Sequence, residues 1–154
     1  MSVERIAVLC VHTSPLASLG GKKTGGMNVY VREFAKEMAR CGVEVDIFTR
    51  RSDCDLPDVD TSLGENIRVI HLACGPTQYL DPLDVYPHLS QFAAGVIAYA
   101  TRQGRYDLVY SHYWLSGWVA NKLKEVWNIP FVQMFHTLGH MKQRIGTGAV
   151  YLPD

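Results

Sequence analysis

The sequence has no apolar run long enough to cross a bilayer. Apolar stretches such as Ile6 to Val11, and Val43 to Phe48 around Glu44 and Asp46, are of strand length, far short of the roughly 20 residues that a membrane-spanning helix needs. It also lacks net charge. Lysine plus arginine number 15 and aspartate plus glutamate 15, so no field gathers a nucleic-acid backbone or an anionic lipid surface, and neither is an expected partner. Met1 to Arg5 leads straight into a strand-like segment, without the apolar stretch and small-residue cleavage site of a secretion signal, which predicts a cytoplasmic address. Cys10, Cys41, Cys54 and Cys74 form no C-x-x-C pair and have no histidine at zinc-finger spacing, so reduced, mostly buried thiols are expected and a disulfide framework is not. Both common nucleotide loops are missing as well: G-x-x-x-x-G-K-[ST] fails because Gly26 follows Gly25 where lysine is required, and G-x-G-x-x-G does not occur.

What remains is an alternation of periods. With 154 residues, 47% of them hydrophobic, the chain is long enough for one substantial core and too short for two ordinary domains. Arg5 to Val11 reads as a strand, and Met27 to Arg40 places Met27, Val31, Phe34, Ala35 and Met38 on one helical face. Gly42 stands where a helix ends, and Val43 to Thr49 is a second strand. Residues 50 to 66 carry no period and predict an exposed excursion. Ile67 to Ala73 is a third strand, Asp84 to Gln103 a helix stopped by Gly104, and Asp107 to Tyr110 a fourth strand. Leu115, Val119, Leu123 and Val126 mark another helix before a fifth strand, Ile129 to Met134. Strands that are apolar throughout, alternating with helices, predict an α/β fold: a doubly wound, Rossmann-like parallel sheet of order 3-2-1-4-5. After Met134 the pattern frays, and the fifth strand is expected to be an edge able to pair with a second copy.

In such a sheet ligands bind beyond the carboxyl ends of the strands, near the reversal of strand order. Three segments leave those ends, His12 to Gly26, Ser111 to Leu115 and His136 to Lys142, and each carries a histidine just past its strand: His12, His112 and His136. Three imidazoles could ligate a metal, although no acidic residue or cysteine beside them completes a set, and a hydrogen-bonding role is favoured. The glycines that precede the first helix let a ligand approach the backbone and its free N–H groups. Tyr113 and Trp114 could flank a sugar ring, while Trp114, Trp118 and Trp127 also read as core packing. Arg50-Arg51 after the second strand would suit a 2′-phosphate and keeps an NADP-linked oxidoreductase open as a reading by fold analogy. A Rossmann-like module without catalysis is the other alternative.

Four strings resemble a known family. They are His12-Thr13-Ser14-Pro15-Leu16, Gly25-Gly26-Met27-Asn28-Val29-Tyr30-Val31-Arg32-Glu33, His112-Tyr113-Trp114-Leu115-Ser116-Gly117 and His136-Thr137-Leu138-Gly139. In this order they resemble the N-terminal half of group-1 retaining glycosyltransferases, among them sucrose-phosphate synthases and inositol-phosphate N-acetylglucosaminyltransferases. The resemblance implies a GT-B architecture, with this chain (residues 1–154) as the acceptor-side domain and the donor-side domain absent. It implies a full-length protein that moves a hexose from a nucleotide-diphosphate sugar to a hydroxyl acceptor, with a sugar phosphate or inositol phosphate among the candidates. No cofactor or resident metal is expected, and this length of chain alone is expected to be inactive. By motif, His136 would lie at the reacting centre, and Gly26, Asn28, Tyr113, Thr137 and Lys142 would face the acceptor. His12, Gly25 and His112 would line the cleft. One departure bears on the acceptor: where phosphate-using relatives carry a lysine after the third strand, this sequence has Pro82, and no lysine occurs between Lys36 and Lys122.

Overall fold

A computed structural model describes residues 2–18 and 25–137. β1 (Arg5–Cys10) is followed by α1 (Gly26–Arg40) and β2 (Glu44–Arg50), the unit expected of a buried strand, an amphipathic helix and a second buried strand. Gly42 makes the turn between them at φ +83, a conformation that costs a residue with a Cβ but not glycine. β3 (Val59–Asp60), β4 (Ile67–Leu72), α2 (Pro82–Val85), α3 (Leu89–Gln103), β5 (Leu108–His112), α4 (Tyr113–Trp127) and β6 (Phe131–Met134) complete the order.

The strands form one sheet in the order β3-β4-β2-β1-β5-β6. Without β3 this is the expected 3-2-1-4-5, and every pairing among those five strands is parallel. β1 lies at the centre, with Val8 opposite Ile47 of β2 and Tyr110 of β5. Its side chains alternate between two cores. Ala7, Leu9 and Val11 join Phe48, Phe92, Val96, Leu115, Val119 and Leu123 beneath α3 and α4; Ile6, Val8 and Cys10 join Val31, Ala35, Val45, Ile47 and Val69 beneath α1. Each of the larger side chains so buried contributes about 1.5–3 kcal/mol.

Three expectations are corrected. The excursion from 50 to 66 is not free of strand: Val59 and Asp60 pair antiparallel with Ile70 and Val69, and two residues are too few to leave a period in the sequence. The single helix expected from Asp84 to Gln103 is broken by a 3-10 turn at Tyr86–His88, because Pro87 has no N–H to donate and its ring crowds the preceding turn. Of the four cysteines, all free, only Cys10 and Cys74 are buried, while Cys41 and Cys54 are exposed.

At the amino end of the sheet a fully buried carboxylate, Asp46, accepts from Arg5 Nη2 at 2.7 Å, Arg68 Nε at 2.5 Å and Tyr106 Oη at 2.5 Å. Burial and the neighbouring carboxylate hold the Tyr106 phenol protonated well beyond its ordinary range. This network staples β1, β2, β4 and the approach to β5. It leaves the opposite, carboxyl end of the sheet free for chemistry.

Candidate active site

The carboxyl ends of β1, β5 and β6 bring His112 and His136 together. His112 is the last residue of β5 rather than one beyond it, and no part of it reaches water. Its Nδ1 lies 2.8 Å from Nε2 of His136. Burial, and then the adjacent His136 ring, lowers the His112 pKa to about 3; burial lowers that of His136 as well. Both imidazoles are therefore neutral near pH 7, and one shared hydrogen joins them. His136 itself, buried only on the side that meets His112 and otherwise exposed, sits on a strained turn: its φ is +59, and Thr137 N–H donates to the Phe135 carbonyl at 2.6 Å, the rare hand of the γ-turn.

Tyr30 carries α1 into this group. Its ring centroid is 5.8 Å from that of His112 and 5.8 Å from that of His136, and its hydroxyl is 2.8 Å from the Tyr110 hydroxyl. One turn earlier, the start of α1 is open among the described residues. Gly25 caps the helix with no side-chain hydrogen bond, and a Cβ at Gly25 or Gly26 would meet nothing within 4 Å. Asn28 in this first turn is buried; its Oδ1 accepts from Thr13 Oγ1 at 3.0 Å, and its Nδ2 finds no partner among the described residues. The Asn28 N–H donates back to the Gly25 carbonyl at 3.2 Å; the other N–H groups of the first turn of such a 15-residue helix attract an anion or a hydroxyl oxygen.

Tyr113 begins α4 at φ +73, and its ring lies 4.4 Å from that of His12. Gln133 of β6 braces it. Its Nε2 donates to the Tyr113 carbonyl at 3.0 Å and to the Met134 carbonyl at 3.2 Å, while its Oε1 accepts from Ser111 Oγ at 2.6 Å. Gly117 makes room for this amide, since a Cβ there would fall 2.5 Å from Gln133 Oε1.

Comparison with known proteins places this chain in a family. A model of the glycosyl transferase 4-like domain matches residues 25–151. The chain belongs to that glycosyltransferase family. It is 47% identical over 141 residues to the D-inositol 3-phosphate glycosyltransferase of Jonesia denitrificans, covering 90% of this chain and 33% of that protein. It is 48% identical over 142 residues to the enzyme of the same name from Rhodococcus erythropolis, with 90% and 32% covered. Among solved structures it resembles sucrose-phosphate synthase from Thermosynechococcus elongatus, with a TM-score of 0.87 and 35% identity over 92% of this chain and 35% of that one. The chain thus spans about a third of the length of the curated relatives it matches.

Within this glycosyltransferase domain the anticipated residues fall into two groups. His112, His136, Tyr113 and Thr137 come from β5, α4 and the turn after β6, and Gly25, Gly26 and Asn28 from the start of α1. Tyr30, which touches both histidines, links the groups. Lys142 lies outside the described residues. His12 keeps to the Tyr113 ring, and the ring nitrogens through which His112 and His136 face one another are occupied by their mutual bond, so the arrangement does not gather three imidazoles for a metal. The paired arginines are not a 2′-phosphate clamp. Arg50 donates to the carbonyls of Cys74 at 2.8 Å and Gln78 at 2.7 Å and to that of Pro76, and Arg51 binds Asp58 and the Leu56 carbonyl. Both shape loops. Tyr30, Tyr110 and Gln133 were not marked by sequence pattern: each occupies an ordinary helix or strand position, and only the parallel register brings them to the histidines.

Proposed function

We propose that the full-length protein is a retaining glycosyltransferase that moves a hexose from a nucleotide-diphosphate sugar to a hydroxyl of a small acceptor, and that this domain holds the acceptor. The observation that carries the reading is the neutral His136, held by His112 and joined through Tyr30 to the open, glycine-lined start of α1. A neutral imidazole can hydrogen-bond a hydroxyl of the transferred sugar without placing a fixed cation beside the positive charge that develops at the anomeric carbon. The N–H groups after Gly25, Nδ2 of Asn28, which has no partner among the described residues, and Lys142 are suited to acceptor oxygens, phosphate or hydroxyl. Thr137 and Tyr113 complete the acceptor wall, with Gly25, His12 and His112 behind it. The nucleotide-sugar is a substrate, and no cofactor or resident metal is invoked.

The relatives' names point to an inositol phosphate or a sugar phosphate as acceptor. Pro82 opens α2 where the resemblance leads one to expect a phosphate-binding lysine, and the nearby Arg50 is bound to loop carbonyls. Acceptors without phosphate therefore belong in the first screen. The test is incubation of the full-length protein with uridine, guanosine and adenosine diphosphate sugars against inositol phosphate, hexose phosphates and their dephosphorylated forms. Product with the donor's anomeric configuration supports the reading; inversion, or no transfer with any pair, overturns it.

A further inference from the structure

The bond between His112 and His136 contains one hydrogen, and its position decides what His136 can offer a ligand. Were His136 the donor, His112 would carry its own hydrogen on Nε2, which is buried and has no hydrogen-bond partner among the described residues. The nearest ring face, that of Tyr110 with its centroid 4.2 Å away, is a weak acceptor. A buried N–H without an acceptor is rarer and costlier than a bare acceptor lone pair. The lower-energy arrangement puts the hydrogen on Nδ1 of His112 and leaves its Nε2 bare.

We propose that His112 is a positioning residue whose Nδ1–H donates to Nε2 of His136, locking His136 as the Nδ1–H tautomer and so making its other ring nitrogen a fixed hydrogen-bond donor. An exposed imidazole in water favours the opposite tautomer, hydrogen on Nε2. The buried strand end therefore imposes on an exposed ring a state that it would not choose. A ligand oxygen with a lone pair fits this donor, and a group that must itself donate does not. The inference uses the proposed function only for its meaning in catalysis, since the tautomer can be read without turnover.

The experiment is long-range hydrogen–nitrogen correlation spectroscopy on this chain labelled with nitrogen-15 at histidine, which reports the nitrogen that carries each hydrogen. Hydrogen on Nδ1 of both rings is the expected result, and hydrogen on Nε2 of His112 would overturn the proposal. His112→Asn keeps a donor near the position of Nδ1 and is expected to leave His136 as Nδ1–H. His112→Phe removes the donor and is expected to release His136 to Nε2–H; retention of Nδ1–H in that variant would also sink the idea. Backbone amide dispersion shows whether each variant folds, and should the Phe variant fail, the wild-type and Asn spectra decide. Absence of transferase activity would count against the function above and leave these readings untouched.

Discussion

His112 lies wholly out of water beside a second imidazole, and its pKa falls from 6.5 to about 3. The unfolded chain regains the ordinary value, so below about pH 6.5 the unfolded state binds a proton that the folded state refuses. Stability is complete above that pH and declines as pH falls toward 3, with a slope approaching 1.4 kcal/mol per pH unit, about one proton's worth. Urea unfolding at about pH 7 and about pH 5 measures it. His112→Asn is expected to flatten the difference, and an unchanged slope in that variant would assign the proton elsewhere. At His136 the expectation concerns rate. On the proposed function, His136→Ala in the full-length protein removes a hydrogen bond to the transferred sugar and is expected to lower kcat about 10²-fold with a smaller change in KM for the acceptor. Steady-state kinetics separates the two effects.

Tyr113, Gln133 and Gly117 belong to three different segments that fix one another. The positive φ of Tyr113 at the β5–α4 junction is held by the Gln133 amide, and that amide fits only because position 117 has no Cβ. Gly117→Ala is expected to destabilise the domain by about 1–3 kcal/mol, although glycine to alanine in a helix ordinarily stabilises it. Thermal unfolding of the variant decides, and a stability gain would show that the amide moves aside freely. At this scale the sequence was readable where burial made a period. The apolar run Ile6–Cys10, the residues Val45, Ile47 and Phe48 of β2 and the face of α1 announced their elements and the sheet order, and Gly42 and Gly104 both marked turns with positive φ. Val59–Asp60 did not announce itself, because two half-exposed residues pair through backbone alone. In the candidate site, His112 and His136 drew notice because they stand at or just past strand ends. Gln133, Tyr30 and Tyr110 act across the sheet, and a cross-strand neighbour leaves no trace in linear spacing.

The sheet carries its buried charge network around Asp46 toward one end and the His112–His136 pair at the other, and the proposed function uses only the second. Its lateral edges differ. β4 is covered by β3, whereas β6 is outermost among the described residues, with Val132 and Phe135 about half exposed. Such an edge offers backbone donors and acceptors to a second copy. The 154-residue chain is expected to self-associate through β6, and Val132→Lys to shift it toward monomer in sedimentation velocity. A monomeric wild-type chain at high concentration would remove the edge from consideration. The same scale governs activity. A transferase must hold both substrates with their reacting atoms in contact, and most of the rate gain comes from that fixed geometry. This chain supplies the histidine pair and the helix start but corresponds to about a third of each relative, and on the proposed function the donor's nucleotide is held by a second domain. Incubated alone with any donor and acceptor that the full-length protein uses, it is expected to transfer no sugar above the rate without protein. Measurable, concentration-dependent transfer by the purified chain would mean that the donor site lies within these residues, and would require the division of labour between the two domains to be redrawn.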